Sequence, residues 1–167
     1  TEIARFDSEV GAEIAPFASI LLRTESAASS KIENLTASAR AIAEAELGHG
    51  RRNAALIVAN ERAMSAAIAL ADRLDGPAIL EMHDALLRHS EPSIAGRWRD
   101  QQVWIGGSDH SPHTAQFVPP HHDRLQPAID DLIRFVARTD IPTLAHVAIA
   151  HAQFETIHPL PDGNGRV

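Results

Sequence analysis

The sequence has no cysteine, one lysine and no apolar run long enough to cross a membrane. Without cysteine the chain has no disulfide, no thiolate nucleophile and no cysteine-ligated zinc, which fits a reducing compartment. Its net charge of −7 leaves no clustered positive charge for a phosphate backbone, so direct nucleic-acid binding is not expected. Charged residues interrupt every apolar run before about 18 residues, which predicts no signal peptide and no membrane contact. A cytoplasmic location is therefore expected.

The hydrophobic pattern is mainly helical. Hydrophobic residues make up 44% of the 167 positions and charged residues 22%, as in an ordinary globular domain. Apolar residues recur at helical spacing within five stretches: 17–24, 57–71, 79–89, 125–136 and 144–154. The exception is the region 99–118, where weak alternation and the pair Gly106-Gly107 predict two extended arms joined by a loop. The pattern predicts an all-α, mainly helical bundle with one small β-hairpin.

The last residues of the chain concentrate chemistry in one short segment, His158 to Arg166. Gly163-Asn164-Gly165 allows positive φ angles and close approach to a ligand, and a helix starting there would favour an anion such as phosphate. Asp162 could hold Mg²⁺ against phosphate oxygens, and Arg166 could present a planar fork of donors. His158 could act as a base, or it could simply cap the carbonyls at a helix end.

The run His158-Pro159-Leu160-Pro161-Asp162-Gly163-Asn164-Gly165-Arg166 resembles the signature H-P-F-x-D/E-G-N-G-R-x-x-R of Fic-domain proteins. Most members of that family transfer AMP from ATP to a protein hydroxyl group. Leu160 stands where the family usually has phenylalanine, which we interpret as a change in core packing and not in chemistry. The chain ends at Val167, before the last arginine of the pattern, and it starts with Thr1. It is therefore expected to be part of a longer protein.

The resemblance implies a role for each residue of the motif. His158 would be the catalytic base, Asp162 would hold Mg²⁺, and ATP would be the co-substrate. The partner would be a protein that presents a Ser, Thr or Tyr hydroxyl. The phosphates would be bound by four residues: Gly163, Asn164, Gly165 and Arg166.

A second element of the resemblance is a β-hairpin beside the active site that binds the target backbone by strand addition. In this chain Gln102-Val103-Trp104-Ile105-Gly106 is similar to the first strand of that flap. An exposed strand edge can bind any extended peptide through main-chain hydrogen bonds. From spacing alone, a structural hairpin in which Trp98 and Trp104 only pack is favoured, and only the neighbouring motif raises the flap interpretation above it.

A third element lies near the N-terminus, where Ser29-Ser30-Lys31-Ile32-Glu33-Asn34 matches the family's inhibitory pattern S/T-x-x-x-E-G/N. In the family the glutamate reaches the final arginine of the signature and excludes the γ-phosphate of ATP. Ser29, Glu33 and Asn34 would then form an inhibitory segment. The alternative is a capping box, in which Ser30 and Glu33 would start a helix at Asn34-Leu35.

Other histidines are expected to have no catalytic role. His110, His113, His121 and His122 enrich the loop near the flap, but prolines separate them and no cysteine joins them, so solvated loop histidines are expected. His151 is expected to be a core histidine. Glu155 is expected to support the site without direct chemistry.

Three functions remain open. They are a self-inhibited protein adenylyltransferase, a non-catalytic nucleotide-binding sensor of the same fold, and a toxin-like interaction module. A phosphate-containing donor other than ATP also stays open, because the motif would recognise phosphate groups better than a nucleobase. We expect residues 1–50 to form an N-terminal inhibitory region and residues 51–167 to form the catalytic core. The oligomeric state is not fixed, and a homodimer stays open.

Overall fold

A computed structural model describes residues 2, 5, 17–32, 34–49, 52–71, 73–108 and 111–167. Within these residues the fold is mainly helical, which confirms the predicted all-α class. From residue 17 onward, the described residues contain six α-helices: α1 (Ala18–Ile32), α2 (Ala39–Glu46), α3 (Arg52–Ala69), α4 (Gly76–Leu87), α5 (Leu125–Val136) and α6 (Thr143–Ile157). In the described part of the chain, no helix is both long and apolar enough to span a bilayer.

The chain divides into two compact units, residues 1–65 and residues 66–167. The functional division predicted at residue 50 is a different kind of boundary, because it rests on motifs, and it stays a prediction. In the first unit, α1 and α3 are joined by buried polar groups. The Ser26 hydroxyl donates to the Ile57 carbonyl at 3.1 Å, and the Asn60 amide donates to the Ser26 carbonyl and the Ser30 hydroxyl, both at 3.2 Å.

Helix α1 ends where the inhibitory pattern lies. Asn34 has φ 58°, its N–H donates to the Lys31 carbonyl at 3.0 Å, and the Leu35 N–H donates to the Ser30 carbonyl at 2.9 Å. These two bonds form a Schellman motif with Asn34 as its left-handed residue, a position that favours glycine or asparagine. The alternative prediction of a capping box at the start of a helix is therefore wrong, because Ser30 lies in the last turn of α1.

Helix α4 supplies much of the buried surface of the second unit. It starts after Asp75, whose side chain accepts from the Ala78 N–H at 2.8 Å, and Pro77 occupies its first turn. The sequence pattern predicted that the preceding helix would end near Asp75-Gly76-Pro77, but α3 ends at Ala69. Four apolar residues of the predicted α4 face are buried as expected: Ile79, Met82, Leu86 and Leu87. His83 lies on the same face and is fully buried.

Helices α5 and α6 pack against each other and place the end of α6. The bounds of α5 are those predicted, and its Leu125, Ile129 and Leu132 form a buried cluster with Ile157 at the end of α6. Burial of each such side chain contributes about 1.5–3 kcal/mol. The start of α6 differs from expectation, since Leu144 is 87% exposed and Val147 is 60% exposed. The strongest anchoring therefore lies at the C-terminal end of α6, directly before His158.

The predicted two-stranded flap is not a regular hairpin in the described residues. Its arms meet at an antiparallel bridge between Ile105 and Phe117, and a second bridge joins Ser108 and Ser111. The Ile105 N–H donates to the Phe117 carbonyl at 2.9 Å. A continuous strand ladder does not extend from the Ile105 bridge to the Ser108 bridge. Gly106 and the residue that follows it both adopt positive φ and turn the chain away from extended geometry. The prediction of two extended arms is confirmed only at the Ile105 bridge.

Candidate functional site

The geometry of the site begins with a left-handed residue at the end of α6. His158 has φ 47° and ψ 60°, and its N–H donates to the Phe154 carbonyl at 2.8 Å. A non-glycine residue in this conformation is strained by about 1–3 kcal/mol and persists only where its surroundings fix it. Here Pro159, which follows, is fully buried and its carbonyl accepts from the Arg99 N–H at 2.9 Å. His158 does end the helix, as the capping interpretation requires, but its ring is free for other contacts.

Asn164 fixes the loop that follows. Its side-chain oxygen accepts from the Leu160 N–H at 2.9 Å, and its side-chain NH₂ donates to the Leu160 carbonyl at 3.0 Å. Leu160 is completely buried, so its smaller volume still fills a core position. Because both ends of the Asn164 amide are occupied, only its backbone N–H could contribute to an anion site.

The backbone amides of the loop offer such a site. Gly163 adopts φ 76°, and its carbonyl accepts from the Arg166 and Val167 N–H groups at 3.0 and 3.2 Å. A short 3₁₀ turn, Asn164–Arg166, follows. Within the described structure, the N–H groups of Asp162, Asn164 and Gly165 donate to no protein acceptor. Successive unpaired N–H groups after a left-handed residue are the usual basis of an anion-binding nest.

Asp162 and Arg166 flank this nest. One oxygen of Asp162 accepts from the Gly163 N–H at 2.7 Å, and the other lies 3.4 Å from the Arg166 guanidinium. The Asp162 side chain is 61% exposed, whereas that of Arg166 is 9% exposed. The pair therefore presents a carboxylate to solvent and holds a guanidinium behind it.

The donor set fits the magnesium site that the motif implies. Mg²⁺ usually keeps several waters and is held by one or two carboxylates together with substrate phosphates. Asp162 is one accessible carboxylate beside unpaired amides, and among the described residues no three potential ligands cluster around it. A metal held by Asp162 would depend on bound phosphates for most of its remaining ligands.

The environment of the His158 ring favours its neutral form. Burial lowers the pKa of His158 below its ordinary value, the Arg99 charge adds to that effect, and Glu155 and Asp162 oppose it. His158 Nδ1 lies 3.9 Å from a Glu155 carboxylate oxygen, too far for a hydrogen bond. In the described residues neither this nitrogen nor the other oxygen of Glu155 has a hydrogen-bond partner. A neutral imidazole beside a carboxylate is suited to accept a proton at neutral pH.

The sequence reasoning missed two residues that hold this segment. His83 Nδ1 accepts from the Gly96 N–H at 3.2 Å, so the proton of the neutral ring lies on Nε2. Burial lowers the pKa of His83, and the nearby Asp162 partly opposes that shift. Helical spacing could have revealed His83, which lies four residues after Ile79 on the buried face. Arg99 is buried too, with only 4% of its surface exposed, and no pattern in the sequence marks it as such.

The flap residues lie where their arms can pair with a further strand. Ile105 and Gly106 are exposed, and Val103 and Trp104 are half-buried. The Gln102 side chain donates to the Val103 and Pro119 carbonyls, both at 2.9 Å, and so links the two arms. The indole N–H of Trp104 donates to Ser108 at 2.8 Å. Trp98 packs against the helical core, as the structural interpretation of the tryptophans expected.

The inhibitory pattern is described only in part. Ser29 is half-buried in α1, and Asn34 is the exposed residue that ends the helix in left-handed conformation. Glu33 lies outside the described residues. The structure therefore explains the asparagine of the pattern and leaves the role of its glutamate a prediction.

The other histidines discussed above show no catalytic arrangement in the described part of the chain. His151 is exposed on α6, so the prediction of a core histidine is wrong: no described residue covers that part of the helix. His113 is exposed and His110 lies outside the described residues. His121, His122 and Asp123 lie within metal-ligand distance of one another, but they are consecutive and mostly exposed. His121 Nδ1 also accepts from the Asp123 N–H at 3.4 Å.

Comparison with known proteins agrees with this arrangement. The Fic/DOC family model matches residues 73–167. The protein adenylyltransferase fic-1 of Caenorhabditis elegans is 32% identical over 91 residues, which are 53% of this chain and 16% of its own length. The protein adenylyltransferase Fic of Nematostella vectensis is 35% identical over 92 residues, 53% of this chain and 19% of its own. The chain thus spans less than a fifth of these curated relatives.

Solved structures show the same fold. The crystal structure of a Fic family protein from Desulfovibrio desulfuricans aligns with 98% of this chain and 50% of its own, with a TM-score of 0.73 and 26% identity. Fic-1 from C. elegans aligns with 83% of this chain and 42% of its own, with a TM-score of 0.63 and 23% identity. At that identity the second likeness concerns the fold alone.

The loop geometry leads to a first prediction. Gly163→Ala should lower the free energy of unfolding by about 1–2 kcal/mol for its left-handed backbone, and by about 1–3 kcal/mol more for overpacking. The added Cβ would lie 2.9 Å from Leu86 Cδ2. Gly48→Ala is the matched control, since Gly48 has φ 85° but no atom within 4 Å of the same Cβ position. Urea denaturation measures the free energy of unfolding of both variants. An equal loss in Gly163→Ala and Gly48→Ala would contradict the predicted clash with Leu86.

Proposed function

The chain belongs to the Fic/DOC family, and from this we propose that it transfers AMP from ATP to a Ser, Thr or Tyr hydroxyl of a protein, which could be another copy of itself. The observation that carries the proposal is the left-handed His158 placed directly before a nest of unpaired amides with Asp162 and Arg166 at its edge. The names of the relatives support the same activity. The match to this chain covers less than a fifth of each relative's length, so the proposal depends on the geometry of the site.

His158 would act as the general base. Its Nδ1 faces Glu155, which leaves Nε2 as the nitrogen that accepts the proton of the target hydroxyl. The hydroxyl oxygen then forms a bond to the α-phosphorus, the bond between that phosphorus and the bridging oxygen breaks, and pyrophosphate leaves with the electron pair. Because phosphoryl-type transfer needs little covalent help from the protein, most of the catalysis would come from positioning and charge.

The loop would hold the nucleotide. The unpaired N–H groups of Asn164 and Gly165 would bind phosphate oxygens, and Arg166 would stabilise the charge of the leaving pyrophosphate. Magnesium bound by Asp162 would neutralise phosphate charge. The N–H and carbonyl of Ile105 are bonded to the second arm of the flap, so the target would pair with the outer edge of the first arm on either side of Ile105. Main-chain hydrogen bonds there would place its hydroxyl with little demand on sequence.

We also propose that the activity is self-inhibited through Ser29, Glu33 and Asn34. The Schellman motif supports this, because it gives a physical reason for the last residue of the inhibitory pattern: a residue in left-handed conformation is needed there. It also removes the competing capping-box explanation. Glu33 would then block the γ-phosphate position and keep ATP from productive binding.

The base is tested by His158→Ala. The variant should lose α-phosphate transfer by about 10²- to 10⁴-fold while Mg·ATP binds within a few-fold of wild type. In the wild type, kcat/KM should fall as pH drops through the pKa of His158, with a midpoint below the ordinary value of 6.5 because burial disfavours the charged ring. His151→Ala, an exposed histidine of the same helix, is the control. Equal transfer by His158→Ala and wild type would refute the assignment.

The metal ligand is tested by Asp162→Asn and Asp162→Ala. Both should abolish transfer and the Mg²⁺ dependence of nucleotide affinity, since each removes the carboxylate. The asparagine retains an oxygen that can accept from the Gly163 N–H, so its unfolding midpoint should stay closer to wild type. Nucleotide titrations with and without Mg²⁺ provide the measurement. A variant that still needs Mg²⁺ for tight binding would show that the metal is held elsewhere.

Self-inhibition is tested by Glu33→Gly in the full-length protein. Transfer or automodification should rise by at least about tenfold, which corresponds to about 1.4 kcal/mol of lost inhibition. Glu25→Gly is the control, because Glu25 is an exposed glutamate of α1, and its replacement should lower stability without raising the rate. Initial rates and thermal midpoints are measured on the same preparations. A change confined to the thermal midpoint would retire the inhibitory role.

A further inference from the structure

Arg99 makes an unusual set of contacts for a buried arginine. Its Nε donates to the His158 carbonyl at 2.8 Å and one terminal nitrogen donates to the Gln101 carbonyl at 2.9 Å. The other terminal nitrogen donates to the Pro120 carbonyl and lies 3.4 Å from that of Ile157. No carboxylate of the described residues lies within 4.0 Å of this guanidinium. The charge is therefore held by backbone carbonyls alone.

These contacts join three places in the fold. Gln101 begins the first arm of the flap, Pro120 ends the second arm, and His158 is the left-handed residue at the end of α6. The planar guanidinium uses three different nitrogens for these three carbonyls, whereas lysine carries its donors on a single nitrogen and has no such fork. Burial lowers the pKa of Arg99, yet an arginine stays charged at neutral pH, so these are charge-assisted bonds.

We propose that Arg99 is a positioning residue that holds the backbone of His158 in its left-handed conformation and couples it to both arms of the flap. This inference rests on the proposed function. The direction of the His158 side chain follows from its backbone, so a fixed carbonyl at His158 fixes the approach of its ring. Arg99 does not touch the reacting atoms. It sets the distance between the residue that takes the proton and the edge that would hold the target.

A purely structural role would predict something different. In that case replacement of Arg99 would reduce the amount of folded protein and leave each folded molecule fully active. A positioning role predicts a lower kcat per folded molecule with little change in the KM for ATP, because the nucleotide is bound by the loop that starts at Asp162. Displacement of a reacting group by about 1 Å can lower a rate by about a hundredfold.

The charge of Arg99 gives a second, independent readout. Burial and the Arg99 charge lower the pKa of His158, while the charge and backbone of Glu155 on α6 and the charge of Asp162 in the loop raise it. If the arginine charge is removed, the pKa of His158 should rise, so the acidic limb of the rate profile moves to higher pH. If lysine replaces it, a positive charge is kept and the limb should stay near the wild-type midpoint.

The experiment compares Arg99→Gln and Arg99→Lys with wild type in the full-length protein. We expect both variants to lower kcat by about ten- to a hundredfold per folded molecule, with the KM for ATP within about threefold. Only Arg99→Gln should shift the acidic limb upward. Arg97→Gln removes an exposed arginine two residues earlier and should change neither quantity. If Arg99→Gln does not fold, kcat and the KM for ATP are measured for Arg99→Lys, which retains the positive charge.

Two results would overturn the inference. One is a kcat per folded molecule that is unchanged in Arg99→Lys or Arg99→Gln. The other comes from NMR titration of the His158 ring, which needs no activity: an identical pKa in wild type and Arg99→Gln would show that the two residues are not coupled. If the wild type transfers no AMP, the proposed function fails, and this titration still tests the coupling between Arg99 and His158.

Discussion

The left-handed turn at His158 is the constraint on which the site depends. A helix that ended in any other way would carry Asp162 and its loop away from the histidine. The conformation is unfavourable for a side chain with a Cβ, so other interactions must stabilise it. They come from the buried end of α6 on one side and from the Arg99 guanidinium on the other. The turn at His158 is thus stabilised by packing and by hydrogen bonds to its backbone.

Asn164 and His83 both lie against the backbone of the loop. Asn164 closes a ring of hydrogen bonds with Leu160, and His83 lies beneath Gly163 with its ring fixed by the Gly96 N–H. The polar side chains that define the motif therefore divide into two kinds. Asp162 remains exposed and available for a ligand, whereas Asn164 is fully engaged in structure. This division could not be read from the spacing of the motif.

The sequence predicted much of the fold but only part of the site. Apolar periodicity predicted α5 well, because the two faces of that helix differ strongly from each other in polarity. It failed for the first turn of α6, where apolar residues such as Leu144 are exposed, since periodicity records polarity and not the presence of a neighbour. Arg99 could not be predicted to lie inside, because an arginine that binds carbonyls looks in sequence like any surface arginine.

The electrostatic balance at His158 explains why burial need not impair the base that we propose at this position. Burial and the Arg99 charge both favour the neutral ring, which is the form that accepts a proton. Glu155 and Asp162 act in the opposite direction, and they stabilise the imidazolium once the proton has arrived. A base surrounded only by positive charge would bind the proton too weakly, and one beside carboxylates alone would already be protonated. The guanidinium that binds the His158 carbonyl therefore also favours the neutral ring that the proposed base requires.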